Sequence, residues 1–155
     1  MNETYIRSIM RDFVEVARLS SIDISNDNLE VEIMGCPHEP PRDLPKGLVA
    51  VYVFCYSSQC LKVGKAGPKT KQRFTYQHYN PGSAPSTLAD SLIKGQSDLG
   101  LSDLTKENVG NWIKRNTYRF NLFLNASTNR FSLNLLEAFL QARLNPAFEG
   151  SGIRN

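Results

Sequence analysis

Side chains suited to phosphate chemistry concentrate in residues 50–80 of this 155-residue chain. Tyr52 lies in the middle of an apolar run, and it is followed by five basic residues: Lys62, Lys65, Lys69, Lys71 and Arg73. Arginine is always charged and presents a planar fork of donors, which suits a phosphate in a phosphoryl-transfer transition state. A tyrosine within a strand is more often a core residue with its hydroxyl at the rim, and the residues alone favour that interpretation of Tyr52.

The charge of the chain is segregated along the sequence. Residues 1–43 contain nine acids and four bases, whereas residues 44–155 contain six acids and fourteen bases, and the whole chain has a net charge of +3. No acid lies between Asp43 and Asp90. A one-sided positive field attracts polyanions and raises their encounter rate. A polyanionic partner is therefore one interpretation, and a solvated basic face without a partner is the other.

Glu137 is the acidic residue with the clearest chemical interest. It lies in a segment whose apolar residues have helical spacing: Leu133, Leu136, Leu140 and Leu144. Glu137 follows Leu133 by one turn, so it lies at the border of the apolar stripe and not on the opposite, wet face. A half-buried carboxylate needs a cationic partner, because burying it alone is costly. That partner is either Arg119, Arg130 or Arg143, or a hard cation such as Mg²⁺, which prefers oxygen ligands.

The elements that position these residues follow from hydrophobic periodicity and capping signals. Two strand-like runs, at 49–54 and 60–63, are separated by a short polar break and predict a β-hairpin. Pro68 suits a first helical turn and predicts a helix over 68–79. The other predicted elements are a helix over 2–19, a strand over 29–34, a helix capped by Ser86 or Thr87, a helix over 107–116, a strand over 118–124, and a helix capped by Ser132 that ends near Leu144.

The composition is that of an ordinary soluble globular protein, with 41% hydrophobic and 21% charged residues, and the length is that of one domain. No apolar run approaches the length of a membrane span, and the charged N-terminus does not resemble a signal peptide. The three cysteines, Cys36, Cys55 and Cys60, are odd in number and lack CxxC spacing. We therefore expect a reducing, cytoplasmic location and neither a disulfide framework nor a structural zinc site.

Taken in order, these features resemble the GIY-YIG nuclease family. Residues 50–52, Ala-Val-Tyr, resemble the first motif, and residues 62–64, Lys-Val-Gly, resemble the second. Arg73 lies where the helix of the family carries its arginine. Residues 136–140, Leu-Glu-Ala-Phe-Leu, and 145–149, Asn-Pro-Ala-Phe-Glu, resemble the metal-binding glutamate segment and the closing proline-aromatic segment. The N-terminal third of the chain lies outside the resemblance.

The resemblance implies a role for each candidate site residue. These are Tyr52 as the phenol that positions or deprotonates the attacking water, Lys62 and Lys65 as cations that favour its ionised form, Arg73 on the phosphate, Tyr76 or His78 as the helical partner of Arg73, and Glu137 as the ligand of one Mg²⁺ or Mn²⁺ ion. A phenol with an ordinary pKa of about 10 is a poor base at neutral pH unless nearby cations lower its pKa.

The chain departs from the family pattern at three positions. The family usually has a tyrosine at the position of Lys62 and an asparagine at that of Glu149. It places a tyrosine or histidine one turn after the arginine, where this chain has Gln77. On an ideal helix Tyr76 shares the face of Arg73, whereas His78 points away. Both residues stay as candidates.

The implied fold is α+β, with a small mixed or antiparallel three-stranded sheet flanked by helices over residues 47–155. Residues 1–46 would add a helix, a strand and a proline-rich connector packed on that domain. The implied activity is metal-dependent hydrolysis of duplex or branched DNA, with Lys62, Lys65, Lys69, Lys71 and Arg73 on the nucleic acid. A nucleic-acid-binding module without turnover is the alternative, because of Lys62 and Glu149. A protein-interaction domain using the acidic N-terminal third is a third interpretation.

Overall fold

The computed structural model describes residues 3–25, 28–128 and 131–148. The strands are β1 (Leu29–Ile33), β2 (Leu48–Tyr56), β3 (Gln59–Ala66) and β4 (Tyr118–Asn125). The helices are α1 (Glu3–Leu19), α2 (Lys71–Thr75), α3 (Leu88–Gly95), α4 (Val109–Asn116) and α5 (Ser132–Leu144), with 3₁₀ turns at Gln77–Tyr79 and Gln96–Leu99.

The strands form one antiparallel sheet in the order β1-β4-β2-β3. The predicted α+β class is confirmed, and the β2–β3 hairpin and the strand at β4 are found where periodicity placed them. The prediction of a three-stranded sheet is wrong, because the N-terminal strand joins the same sheet. Residues of β1 pair with β4 in register, so that Glu32 lies opposite Asn121. This pairing supplies β4 with a second neighbour and satisfies backbone groups that an edge strand would leave open.

The sheet lies between two helical layers, because alternate residues of each strand face opposite sides. On one side Val51 and Val53 pack with α1 and α5. On the other side Tyr52 and Phe54 pack with α2, the first 3₁₀ turn, α3 and α4. In β4 the same alternation turns Arg119, Asn121 and Phe123 toward the side of Tyr52, because they pair with Phe54, Tyr52 and Ala50. This side of the sheet carries most of the candidate site residues.

Helix boundaries differ from the sequence predictions at three places, the smallest difference being that α4 begins at Val109 and not at 107. The helix predicted over 68–79 is instead the short helix α2 followed by a 3₁₀ turn. Ser132 was predicted to cap α5, but it is the first helical residue and makes no capping hydrogen bond, because the chain already turns at Phe131. Of the two predicted caps of α3, Ser86 and Thr87, the structure has Thr87, since its side chain accepts a hydrogen bond from the backbone N–H of Asp90.

No helix in the described part of the chain combines the length and apolar character needed to cross a bilayer. Cys36, Cys55 and Cys60 are free thiols. Cys55 and Cys60 lie opposite each other in the hairpin, at the place where the β2–β3 register shifts.

Candidate active site

A cavity of about 260 Å³ lies beside the β2–β3 hairpin. Residues from five different parts of the chain line it, among them Tyr52, Lys62, Gly64, Arg73, His78 and Glu137. Five of the seven side chains to which the resemblance assigns catalytic roles thus share one cavity. Lys65 and Tyr76 are not among its lining residues.

Tyr52 lies at the base of this cavity because its strand neighbour is a glycine. Tyr52 and Gly64 are directly opposite in the β2–β3 pairing, and Tyr52 is 1% exposed. A Cβ atom built on Gly64 would lie 2.6 Å from the phenol oxygen and 2.7 Å from two ring carbons. The phenol ring therefore occupies the space that any other residue at position 64 would fill with its side chain.

His78 holds the phenol oxygen through a hydrogen bond whose direction can be assigned. Its Nε2 atom is 2.7 Å from Tyr52 Oη, and its Nδ1 atom accepts a hydrogen bond from the backbone N–H of Leu88 at 3.1 Å. In the neutral imidazole the proton is therefore on Nε2, which donates to Tyr52. Burial, assisted by the charges of Lys62, Arg119 and Arg73, lowers the pKa of His78 to about 3. At neutral pH His78 is thus a hydrogen-bond donor and not a base.

His78 reaches the cavity because α2 ends early. The backbone of Tyr76 leaves the helical region at φ −122° and ψ −20°, and the chain continues as a 3₁₀ turn. This turn brings His78 beneath the cavity, although an uninterrupted helix would direct it away from Arg73. Tyr76 is 49% exposed and lies in a separate surface groove with Arg42 and Lys71. Between the two candidates, His78 is the one that contacts Tyr52.

Lys62 lies on the same side of the sheet as Tyr52 because it pairs directly with Phe54, two residues further along β2, and a β-bulge follows that pair. The pairing passes from Phe54–Lys62 to Cys55–Cys60, so one extra residue of β3 lies between them. Lys62 is 7% exposed, and its ammonium group donates to the carbonyl of Phe148 at 3.2 Å. The closing segment is fixed in turn to β3, since the N–H of Phe148 donates to the Leu61 carbonyl. A buried ammonium group is thereby held at the wall of the cavity.

Glu137 forms a salt bridge, but with a residue that the sequence did not indicate. Lys65 Nζ lies 2.7 Å from Glu137 Oε2 and 2.8 Å from Asn134 Oδ1. Of the three arginines predicted as partners, the two that the structure describes do not pair with Glu137: Arg143 pairs with Asp12, and Arg119 is buried in the core. Arg130, the third one predicted, and Glu149 lie outside the described residues. Lys65 was expected to act on Tyr52, but its ammonium group neutralises Glu137.

Glu137 provides a single carboxylate for a metal ion. In the described ranges, no three or more His, Cys, Asp or Glu residues come together as a metal-binding cluster. Mg²⁺ often binds through one or two carboxylates together with water and substrate phosphate oxygens. The Glu137 side chain is 19% exposed and lines the cavity, so its carboxylate fits an ion that a phosphate group helps to hold. The ammonium of Lys65 supplies the positive charge beside this carboxylate.

Four of the five predicted nucleic-acid-binding residues divide into two groups, and the fifth, Lys65, pairs with Glu137. Lys62 and Arg73 line the cavity, where Arg73 is exposed. Lys69 is exposed just before α2, and Lys71, the first residue of α2, is exposed and pairs with Asp43 at 3.3 Å. All four belong to one basic stretch of sequence, but only Lys62 and Arg73 line the cavity.

Arg119 is the residue that sequence reasoning missed. Its side chain is fully buried beneath the cavity, with its guanidinium carbon 5.4 Å from the centre of the Tyr52 ring. The sequence did contain an indication of this residue, because the alternation of β4 places Arg119 on the apolar side of the strand, the side of Tyr52. A charged residue on a buried face is unusual. No known protein family, curated protein or solved structure matches this chain.

Proposed function

We propose that this chain is a metal-dependent DNA endonuclease of the GIY-YIG type. The observation that supports this most is the content of one cavity: a buried phenol, a neutral imidazole bonded to it, a buried ammonium, an arginine and a carboxylate. These groups come from positions 52, 62, 73, 78 and 137. A general base, cationic phosphate ligands and a metal anchor are components of metal-dependent phosphodiester hydrolysis.

Tyr52 is the base in this proposal. The N–H of His78 and the nearby ammonium of Lys62 both favour negative charge on the phenol oxygen. The ionised phenol takes a proton from a water molecule, the water oxygen attacks phosphorus, and the P–O3′ bond breaks. The products are a 5′-phosphate and a 3′-oxygen that takes up a proton from solvent.

Arg73 and Glu137 act on the charge that develops on the phosphate. Arg73 is exposed at the cavity wall, so its guanidinium can donate two parallel hydrogen bonds to phosphate oxygens. Glu137 is the residue that would hold a Mg²⁺ or Mn²⁺ ion, which supplies charge stabilisation at the phosphate oxygens when bound. Lys65 must give up its contact with Glu137, or share it, when that ion binds.

A DNA-binding module without turnover is the second candidate. One observation favours it: the Lys65 ammonium lies 2.7 Å from the Glu137 carboxylate, beside the atom that a metal ion would use. In that case the lysine is the permanent partner of the glutamate. The cavity would then bind a phosphate group without activating water.

A plasmid-nicking assay distinguishes the two candidates. Supercoiled DNA is incubated with the protein and Mg²⁺, Mn²⁺ or EDTA, and DNA binding is measured in parallel by fluorescence anisotropy. The endonuclease should produce nicked circles only with a divalent ion. Binding without nicking under every metal condition would favour the module, and a protein that neither binds nor nicks would contradict both candidates.

Binding to DNA should weaken steeply with salt, because each phosphate contact releases condensed counterions. Lys69→Gln should make the slope of log K against log salt shallower by roughly one unit, the value for one lost contact. Lys71→Gln should change it less, since Asp43 already offsets part of the Lys71 charge. Arg18→Gln on α1 is the matched control, because Arg18 is also exposed and paired with an acid. Salt-independent binding would contradict the assignment of this segment to DNA.

Lys62→Met should shift the rising limb of the pH–rate profile to higher pH. The ammonium of Lys62 favours the ionised form of Tyr52, so removing it leaves less active base at a given pH. We expect a shift of roughly one pH unit, the size of effect that a close opposite charge produces. Lys94→Met makes the same chemical change at an exposed position on α3 and should leave the profile unchanged. An unaltered profile and rate in Lys62→Met would make Lys62 a structural residue.

A further inference from the structure

Arg119 is a fully buried cation directly beneath the candidate active site. Four aromatic rings surround its guanidinium carbon, at 5.4 Å (Tyr52), 5.0 Å (Phe54), 4.8 Å (Phe74) and 6.0 Å (Tyr79) from their centres. Among the described residues, no carboxylate forms an ion pair with it. Burying an arginine without a counter-charge is costly, and cation–π contacts recover only part of that cost. A smaller apolar residue would serve a purely structural core better.

The guanidinium donates to two elements that carry site residues. Its Nη2 atom is 2.6 Å from the carbonyl oxygen of Phe74, in the last turn of α2. Its Nη1 atom is 3.0 Å from the hydroxyl of Tyr79, in the following 3₁₀ turn. Phe74 is the residue after Arg73, and Tyr79 is the residue after His78. Carbonyls at a helix C-terminus lack helical partners and attract cations, so the bond to Phe74 also favours the early end of α2.

The sheet holds the guanidinium from the other side. Its Nε atom donates to Asn121 Oδ1 at 2.9 Å, and Asn121 Nδ2 donates to Glu32 Oε2 at 2.7 Å. Asn121 lies directly opposite Tyr52 in the β2–β4 pairing. The arginine is thus anchored beside the strand residue that carries the phenol, and it reaches from there to α2 and to the 3₁₀ turn.

The hydroxyl of Tyr79 is oriented by His38. His38 Nδ1 lies 2.9 Å from the Thr117 carbonyl, which can only accept, so this nitrogen carries the proton. His38 Nε2 then accepts the hydroxyl proton of Tyr79 at 2.9 Å, and the Tyr79 oxygen accepts from Arg119. Burial lowers the pKa of His38, in agreement with this neutral form. Every member of the cluster therefore has a fixed donor or acceptor role.

We propose that Arg119 is a positioning residue that fixes Arg73 and His78 relative to Tyr52 by joining β4 to α2 and to the 3₁₀ turn. The inference rests on the proposed endonuclease function, because it assigns Arg119 a role in that same site. Arg119 itself touches neither the substrate nor the reacting atoms. It acts on Arg73 and His78 because it binds the residues that follow them, Phe74 and Tyr79.

The charge of Arg119 also acts on the hydrogen bond between His78 and Tyr52. The charged groups that act on the buried His78 are Lys62 from β3, Arg73 from α2 and Arg119 from β4, and all three are positive. Tyr52 from β2 is the titratable group that His78 contacts. Together with burial, these charges lower the pKa of His78, so the imidazole keeps donating to the phenol oxygen. Removing the Arg119 charge should raise the pKa of His78.

The test uses Arg119→Met, Arg119→Lys and a control that destabilises the opposite layer. Arg119→Met removes the charge and all three hydrogen bonds, whereas Arg119→Lys keeps the charge. Ile9→Ala on α1 creates a cavity on the other side of the sheet and should lower Tm without changing kcat well below Tm. We expect kcat for nicking to fall at least ~10-fold in Arg119→Lys and ~100-fold in Arg119→Met, because small misplacements of catalytic groups have effects of this size. KM should change much less than kcat.

The His78 titration, followed by NMR on the unbound protein, does not depend on nuclease activity. We expect its pKa to rise in Arg119→Met and to stay low in Arg119→Lys. If the wild-type protein does not nick DNA, the proposed function fails, while this titration still decides whether Arg119 acts on His78. Normal kcat in both Arg119 variants and an unchanged His78 titration in Arg119→Met, with only Tm lowered, would overturn the proposal.

Tyr79→Phe covers the case in which the Arg119 variants do not fold. It removes one acceptor of the guanidinium and leaves the ring in place. We expect a loss of roughly 3- to 10-fold in kcat, smaller than for Arg119→Lys because two of the three hydrogen bonds survive. The His78 titration should stay as in the wild type, because the Arg119 charge is kept, and normal kcat in Tyr79→Phe would overturn the proposal as well.

Discussion

Gly64→Ala should reduce the nicking rate at least ~100-fold while leaving the protein folded. The new Cβ atom would lie 2.6 Å from the oxygen and 2.7 Å from ring carbons of Tyr52, so the ring cannot keep its position. Movement of the ring breaks the 2.7 Å hydrogen bond to His78 and displaces the proposed general base. Misplacing a catalytic group by about 1 Å can cost 100-fold in rate.

Two comparisons separate loss of the base from damage to the strand. Gly67→Ala adds the same methyl group just after β3, where its nearest neighbour is a methyl of Val49 at an ordinary 3.7 Å, so it should cleave normally. Tyr52→Phe should lose activity to a similar extent, and the double variant with Gly64→Ala should be little worse than either single one. Groups that act as a unit are non-additive in this way. A Gly64→Ala protein that cleaves at the wild-type rate would show that the position of the Tyr52 ring is unimportant.

The hairpin was predictable because it depends on local patterns. The apolar runs and the polar break of residues 49–63 specify two paired strands, and period-two alternation fixes which side chains share a face. Tyr52 and Gly64 lie opposite each other as a consequence of that hairpin. The same alternation in β4 correctly separated Arg119 and Asn121 from the apolar residues between them.

The errors arose where distant segments decide the outcome. The pairing of β1 with β4 joins residues about 90 positions apart, and alternation in β1 does not identify its partner. Helical geometry directed His78 away from Arg73, but α2 ends at Thr75, where a guanidinium from β4 binds the Phe74 carbonyl. The packing of α5 on β3 decides that Glu137 meets Lys65. Side-chain partners of this kind depend on the tertiary fold, which single-sequence periodicity does not contain.

Glu137→Gln should leave a folded protein that binds DNA and nicks it at least ~100 times more slowly. The amide keeps the volume of the side chain and removes the charge that would anchor a divalent ion. Electrostatic groups that stabilise a transition state typically contribute about 100-fold or more to the rate. Mn²⁺ binding, measured by its effect on water proton relaxation, should weaken in parallel, which provides a readout that is independent of cleavage.

A purely structural role for Glu137 leads to a different result. The carboxylate would then matter only for its 2.7 Å contact with Lys65, and the amide variant would cleave normally. Because the Lys65 side chain is 38% exposed and remains solvated, we expect the lost pair to change stability by no more than about 1 kcal/mol. Glu15→Gln on α1 is the matched control, since it makes the same substitution and breaks an exposed pair with Arg18.

Tm, Mn²⁺ binding and nicking rate measured on the same two variants decide between these roles. Loss of cleavage and of Mn²⁺ binding in Glu137→Gln, with Tm close to that of Glu15→Gln, supports the metal anchor. A Glu137→Gln protein that still cleaves would contradict it, whatever its Tm. The cation beside α5 would then be Lys65 alone, and phosphate chemistry in the cavity would depend on Tyr52, Lys62 and Arg73 without a carboxylate ligand.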